Sequence, residues 1–511
     1  MMRRLTTVTS CLPRGEYARY LLALIAGAVQ PLAFAPFALY PLALLALLPL
    51  FALWLQATPR QAAWYGLLFG LGMFGAGVSW VYVAIHVFGH TVAPLAALLT
   101  LLFVFVLALT IALAGYLSCY VAARAGLSET IRLLLWFPSV WTLVEWFRGW
   151  FLTGFPWLSL GYSQIDSPLR GYAPLLGIYG LSLLCAFSAG VLLWMWRERG
   201  RTMAWGVPLL LLIWLGGWGL SRIDWTSSAG EPLRVTLIQG NVPQSTKWDP
   251  AAIRLRLTRY AELTREHLGD SDLIIWPENA ITVFYHQLAE SYFQELSKEL
   301  RQSGTDLILG VPLLDDDGDR YYTTLMSLGT ENGFYRKRHL VPFGEFLPLE
   351  GLLRGLINFF EMPMSSFSPG TADQPLLQAA GQPIAASVCY EDAFPAEMRD
   401  FLPEATLLVN GSNNAWYGDS LAPHQHLQIS RMRALEFGRP MLRATTNGIS
   451  AIIAADGSLM ETSPQFETAI VQARVQPMAG ATPYTRFGNY PLLLLLACVI
   501  GVTLLPGRRR R

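Results

Sequence analysis

The chain has 511 residues, 53% of them hydrophobic and 14% charged, with a formal net charge of +1 at pH 7. So apolar a composition exceeds that of water-soluble domains, so part of the chain belongs in lipid, and the near-neutral balance excludes the broad positive field of a nucleic-acid-binding protein. Five cysteines, Cys11, Cys119, Cys185, Cys389 and Cys498, show no Cys-x-x-Cys spacing, which argues against a zinc site or a disulfide framework.

From the amino terminus, Arg3, Arg4, Arg14 and Arg19 precede a long apolar run, and further apolar runs follow at once, as expected of an uncleaved first anchor rather than a removed signal. A membrane-crossing helix needs about 20 mostly apolar residues, and about seven such stretches are predicted before residue 221. They cover 20–38, 39–56, 62–85, 92–122, 131–148, 171–196 and 203–220, and an eighth covers 490–506. Arginines flank alternate loops (Arg60; Arg124 and Arg132; Arg197, Arg199 and Arg201) and end the chain at Arg508 to Arg511. With eight spans all of these fall on one side, which the positive-inside rule makes cytoplasmic. The expected division is 1–220 as a membrane domain, 221–489 as a domain on the opposite face, periplasmic in a bacterium, and 490–511 as a last span with its arginine tail. Within the fifth span, Glu145 and Arg148 are expected to pair with each other or with lipid headgroups.

Between 221 and 489 the texture changes. Short β-rich runs, Leu233–Gln239, Leu273–Trp276, Asp306–Val311, Thr323–Leu328, Pro383–Cys389, Thr406–Asn410, Met441–Thr446 and Ser450–Ala454, alternate with helical patterns at Ala251–Leu268, Gln287–Gln302 and His424–Phe437. Strands interleaved with helices predict an α/β sheet covered by helices.

Three residues in this segment suggest chemistry. Cys389 ends an apolar run with no second cysteine near it in sequence, and an unpaired thiol in an oxidising compartment is unusual enough to suggest a nucleophile. Glu278 ends the Leu273-Ile274-Ile275-Trp276 run behind Pro277, where sheet enzymes present catalytic groups. Lys337 is one of only three lysines, with Lys247 and Lys298, so an ammonium there is a choice in a chain otherwise rich in arginine. Singly, each has a bland reading: a solvated carboxylate, a member of a basic run, an inert buried thiol.

Together they are more specific. A strand-end Glu278, a Lys337 just before Val341-Pro342-Phe343-Gly344-Glu345, and a strand-end Cys389-Tyr390-Glu391 resemble the nitrilase, or carbon-nitrogen hydrolase, superfamily over about Leu233 to Val475. The Lys247-Trp248-Asp249 segment, Ser412-Asn413-Asn414-Ala415-Trp416 and the flanking apolar spans resemble one branch of it, the bacterial apolipoprotein N-acyltransferases. The resemblance implies a polytopic α-helical membrane domain of about eight helices joined to an α-β-β-α sandwich. It implies Glu278 as general base, Lys337 as the cation that stabilises the tetrahedral intermediate, and Cys389 as the acyl-carrying nucleophile. Glu345 would hold Lys337 or the thiol, Tyr390 and Glu391 would shape the pocket, and Trp248, Asn413 and Trp416 would line the substrate site. Asn279 departs from the Ser or Thr that often follows Trp-Pro-Glu in related enzymes.

The implied substrates are a phospholipid acyl donor and a diacylglyceryl apolipoprotein acceptor, with the reacting atoms at headgroup depth in a bacterial inner membrane. No metal, cofactor or nucleic acid is expected, and a monomer is the default. Leu349, Leu352, Leu353, Leu356, Ile357, Phe359 and Phe360 recur at nearly helical spacing, as a lid dipping into the interface would, or as a stripe packed on the domain's own core. Two other functions stay open at this level: a membrane-anchored amidase or nitrilase that passes its acyl group to water, and a lipid-binding or transport protein with an inactive nitrilase-like half.

Overall fold

The computed structural model describes residues 12–198, 200–247, 249–315, 317–346 and 367–504. Trp248, the stripe from Leu349 to Phe360 and the Arg508–Arg511 tail lie outside the described residues. The chain forms two compact units, one of residues up to Ile223 with those from Arg486 onward, the other Asp224–Thr485.

The first unit is helical. Among the described residues, three helices are long and apolar enough to cross a membrane, Ala93–Ala125, Pro168–Glu198 and Thr202–Leu220, and a fourth span results if Pro59–Gly77 and Val81–Phe88, bent by 59°, count as one. Pro41–Gln56 and Tyr490–Thr503 are shorter apolar helices. Leu98, Leu101, Leu211, Leu212 and Leu215 are exposed on two of these helices, a placement that water would penalise and lipid does not. With no hydrophobic force to join helices in lipid, close contact relies on small residues. A Cβ at Gly66 would stand 2.4 Å from the Ile111 carbonyl oxygen, and one at Gly70 2.7 Å from Ala108 Cα, so this pair of glycines lets Pro59–Gly77 lie directly on Ala93–Ala125.

Of the predicted spans, 20–38 is α-helical only to Val29 and continues as a 3₁₀ turn, Gln30–Ala33, and two others differ in detail. The 62–85 stretch is broken after Gly77, whose freed carbonyl accepts a hydrogen bond from Trp80 Nε1 at 3.2 Å. The 131–148 stretch opens on a π-helical turn, Arg132–Trp136, before the α-helix Phe137–Arg148, whose second residue, Pro138, has no N–H for the i−4 ladder. Glu145 accepts from Trp141 Nε1 at 2.8 Å and from the Leu160 N–H at 3.0 Å, while Arg148 donates to the Trp157 carbonyl at 2.6 Å. Both thus anchor the 155–160 loop, a use that the span pattern could not reveal.

The second unit is built on strands β1 Ser227–Ser228, β2 Leu233–Gln239, β3 Leu273–Ile275, β4 Asp306–Leu314, β5 Tyr321–Leu328, β6 Gly333–Arg336, β7 Leu377–Ala379, β8 Gln382–Val388, β9 Leu407–Ser412, β10 Met441–Thr445, β11 Ala451–Ile453, β12 Leu459–Thr462, β13 Ala469–Val475 and β14 Met478–Ala479. One six-stranded sheet runs β13-β2-β3-β4-β5-β6 and the other β12-β11-β10-β9-β8-β7, while β1 and β14 pair separately. Read from β13 and from β7, the two sheets share one pattern: an antiparallel pair, two parallel pairs, then two antiparallel pairs.

Strand alternation sets the layers. Leu273, Ile275, Ile308 and Leu325 of the first sheet pack in one core with Ile384, Ala386, Val388 and Val409 of the second. Ile274, Leu307, Leu309 and Met326 point the other way, into a second core with Tyr260 of helix Pro250–Arg265 and Leu296 and Leu300 of helix Gln294–Ser303. Leu427, Ala434 and Phe437 of helix Leu421–Phe437 cover the far side of the second sheet. The result is the α-β-β-α sandwich of a nitrilase-like fold.

The predicted strands all exist, with shifted ends. β3 stops at Ile275, and β8 stops at Val388, which makes Cys389 the first residue of a 3₁₀ turn, Cys389–Ala393. β6, β7, β12 and β13 were not anticipated. They are edge or near-edge strands with mixed burial, and β12 is wholly exposed, so they lack the unbroken apolar runs of the central strands.

Candidate active site

Parallel strands gather functional groups at their carboxyl ends, and β3 and β8 lie in facing sheets. Glu278 follows β3, Cys389 follows β8, and Lys337 follows β6, where its N–H donates to the Thr323 carbonyl at 2.9 Å. The turn at Glu278 needs room that only glycine leaves: a Cβ at Gly310 of β4 would lie 2.4 Å from the Pro277 carbonyl oxygen and from the Asn279 nitrogen. Asn279 itself has φ 44°, a left-handed conformation that asparagine tolerates better than β-branched threonine.

All three side chains are buried, Lys337 at 1%, Glu278 at 6% and Cys389 at 8% exposure. Lys337 Nζ lies 2.8 Å from Glu345 Oε1 and 3.8 Å from Glu278 Oε1. Burial opposes its charge, but Glu345 and then Glu278 outweigh that cost and hold the ammonium above lysine's ordinary range. Burial pushes the Glu345 carboxyl up, against the pull of Lys337. Its second oxygen accepts the Val341 N–H at 2.8 Å, which closes the Val341–Glu345 turn on itself.

Cys389 has φ 52°. Burial, reinforced by Glu278, pushes its thiol up to about 12, while Lys337, Arg443 and the Asn413 backbone N–H pull the other way. The resting group is therefore a thiol, and its proton must leave as it attacks.

The remaining predicted residues serve distinct ends. Glu391 is buried and accepts from the Arg338 N–H (2.6 Å), the His339 N–H (3.0 Å), the Val388 N–H (2.7 Å) and the Tyr335 hydroxyl (2.9 Å). It therefore ties the segment after Lys337 to the end of β8. Tyr390 packs edge-on against Phe394 and against His339, which stacks on Phe394 at 3.6 Å between centroids. Asn413 Nδ2 donates to Gln244 Oε1 at 3.0 Å, and Trp416 is exposed. Trp248 lies outside the described residues.

The fold brings here several further groups to which the sequence assigns no role in the site. Lys247 is buried and donates to the Glu278 carbonyl at 3.1 Å; burial lowers its pKa to about 8, against Glu278 and with the help of Arg256. Its rarity as a lysine was the available signal. Asp392, Asn410, His426 and Arg443 surround the backbone of Cys389 from behind and carried no motif of their own. Among the described residues, no group of three or more His, Cys, Asp or Glu is arranged to hold a metal ion.

Comparison with known proteins agrees with this architecture in both parts of the chain. Residues 26–191 match the apolipoprotein N-acyltransferase N-terminal domain, and residues 234–484 match the carbon-nitrogen hydrolase family. The chain is 49% identical over 493 residues, 96% of each chain, to an apolipoprotein N-acyltransferase of Methylococcus capsulatus. It is 44% identical over 496 residues to that of Nitrosomonas europaea, covering 96% of this chain and 97% of the relative. Among solved structures, an amidase from Neterenkonia sp. AN1 aligns over 52% of this chain and 99% of its own, with 17% identity and a TM-score of 0.36. Identity at this level, sustained across the helical and the sandwich units alike, makes the chain a member of the apolipoprotein N-acyltransferase family.

Proposed function

We propose that the protein transfers a fatty acyl chain from a membrane phospholipid, through a thioester on Cys389, to the α-amino group of the N-terminal diacylglyceryl-cysteine of an apolipoprotein. One observation carries the reading: a buried thiol at a strand end lies in the fields of a buried ammonium and a buried carboxylate, in a chain that also carries membrane-length apolar helices.

Glu278 takes the thiol proton as sulfur attacks the donor's ester carbonyl. Lys337 stabilises the oxyanion; removing one such preorganised donor costs on the order of a hundredfold or more in rate. The ester C–O bond breaks, Glu278 returns the proton to the departing oxygen, and the lysophospholipid leaves. The acceptor amine, neutral once it has lost its ammonium proton, then attacks the thioester. Glu278 accepts the proton released as the amide forms, and the sulfur is reprotonated. The order is ping-pong, with one covalent intermediate. Glu345 holds Lys337 between the two carboxylates, Tyr390 and Glu391 shape the site, and Trp248, Asn413 and Trp416 contact substrate.

The membrane arrangement that fits this chemistry has about eight spans, seven within 1–220 and one within 490–511. The arginine-bearing loops face the cytoplasm of a bacterial inner membrane and residues 221–489 face the periplasm, where the protein works as a monomer.

The test is acyl transfer by the reconstituted protein, with phospholipid labelled in its acyl chain and a diacylglyceryl-cysteinyl peptide bearing a free amine. Label should pass first to the peptide containing Cys389 and then to the acceptor amine. Release solely as free fatty acid, with acceptor present, would make the protein a hydrolase; no label on the protein or product would make it a lipid-binding or transport protein.

A further inference from the structure

Behind the nucleophile lies a polar cluster that the acyl-transfer steps do not use. Helix Leu421–Phe437 carries His426 and Ser430, and these meet Asp392, Asn410, Asn414 and Arg443, every one of them buried. His426 Nε2 lies 3.1 Å from the Cys389 carbonyl oxygen and 2.9 Å from Asp392 Oδ1. Asn410 Nδ2 donates to the same carbonyl at 3.1 Å and to Ser387 Oγ at 3.0 Å.

The direction of each bond follows from Arg443, a group that can only donate. Its Nη2 donates to Asn414 Oδ1 at 3.0 Å, so the opposite face of that amide, Nδ2, is the one that points at His426 Nδ1, 3.2 Å away. Nδ1 must therefore accept, and the imidazole hydrogen sits on Nε2, where it faces the Cys389 carbonyl and Asp392. In the same way Arg443 Nη1 donates to Asn410 Oδ1 at 2.7 Å, which turns the Asn410 amide hydrogens toward Ser387 and Cys389. Burial and Arg443 hold the imidazole pKa below its ordinary value, against Asp392, which favours the neutral ring that this bonding pattern requires. One guanidinium thus orients two donors, and both end on the carbonyl of a residue with φ 52°.

A left-handed backbone is unfavourable for any residue with a Cβ and persists only where its surroundings over-determine it. We propose that His426 is a positioning residue for the nucleophile: its Nε2–H, with the Asn410 amide, holds the Cys389 carbonyl and hence the backbone turn that presents the sulfur to Glu278 and Lys337. The inference rests on the thioester reading above and adds to it the device that aims the sulfur. Misplacing a reacting atom by about 1 Å costs on the order of a hundredfold in rate.

The experiment uses the full chain in lipid vesicles and follows single-turnover labelling of Cys389 by acyl-labelled phospholipid, then steady-state transfer to a diacylglyceryl-cysteinyl peptide. His426→Ala should form the thioester about a hundredfold more slowly than wild type, with KM for phospholipid little changed. His426→Gln, whose side-chain amide can place a donor where Nε2 stood, should recover most of the rate. A His426→Ala variant that labels at the wild-type rate overturns the proposal, as does a folded His426→Gln that is as slow as alanine. Thermal unfolding is followed for both variants. If His426→Ala does not fold, His426→Gln alone decides, and failure of His426→Gln to fold also counts against the proposal, since the ring rather than the donor would then be what the site needs. Absence of a thioester in the wild type overturns the acyl-enzyme mechanism and the positioning role with it, whereas a wild-type thioester with an equally fast His426→Ala overturns the positioning role alone.

Discussion

Lys337 is held by Glu345, not by Glu278: its Nζ lies 2.8 Å from the former and 3.8 Å from the latter. That one-ångström difference separates the work of two buried carboxylates. The nearer one neutralises the ammonium and fixes it by a hydrogen bond, while the farther one is the group to which the proposed mechanism gives the role of base.

Replacing Glu345 with Gln should therefore draw Lys337 toward Glu278 and tie up the base. Acyl transfer is expected to fall on the order of a hundredfold while the fold is retained, measured by single-turnover labelling beside circular dichroism. A variant with wild-type rate would mean that Lys337 needs no second carboxylate.

Substitutions at Cys389 separate chemistry from folding. Cys389→Ser should abolish turnover, because a serine hydroxyl is far harder to deprotonate than a thiol and is a poorer leaving group from the acyl intermediate. Cys389→Ala should remain folded, and Cys389→Gly should be at least as stable as alanine, since φ 52° costs a residue with a Cβ about 1 kcal/mol that glycine does not bear. Melting temperatures of the two variants decide, with a clearly less stable glycine variant as the contrary outcome.

Lys247 predicts a pH dependence of stability. Its folded-state pKa is lowered from 10.5 to about 8, chiefly by burial. Below pH 8 folded and unfolded chains both carry the ammonium, and the fold bears the full cost of burying it. Between about 8 and 10.5 only the unfolded chain holds the proton, so raising the pH stabilises the fold, by about 3 kcal/mol in total. The melting temperature of the wild type relative to Lys247→Met should thus climb from pH 7 to pH 10. A difference that stays flat with pH would contradict the assignment.

Glu391→Gln tests the tie between the segment after Lys337 and the end of β8. The carboxylate accepts three backbone N–H groups and the Tyr335 hydroxyl, and an amide would turn a donor against some of these donors. A loss of about 3 kcal/mol is expected from chemical denaturation, because buried donors to a charged acceptor would be left unpaired. A change below about 0.5 kcal/mol would show that water replaces the missing acceptor.

Much of the sandwich was legible because its central strands are buried on both faces and read as unbroken apolar runs, as Leu273–Ile275 and Leu407–Val409 do. The edge strands β7 and β12 were not, since neither pairing partner nor burial pattern is encoded within three or four residues. The clustering of Glu278, Lys337 and Cys389 in space could be suspected from motif resemblance. The contacts of His426, Asp392 and Arg443 could not, because residues on a helix, a turn and a strand meet there only through the packing of helix Leu421–Phe437 on the second sheet.

Composition and hydrophobic periodicity, properties of the chain before it folds, determined by themselves that part of this protein lies in lipid and part forms an α/β sheet covered by helices, and which residue types were available for thiol chemistry. Tertiary structure alone decided which carboxylate grips Lys337, that Lys247 is buried behind Glu278, and that the carbonyl of Cys389 is held from the rear. The reason is physical. Periodicity encodes the face a residue turns toward the core, whereas hydrogen bonds and pKa shifts depend on distances of a few ångströms between residues as far apart in sequence as Gln244 and Asn413, 169 positions, set only when sheets and helices close on one another.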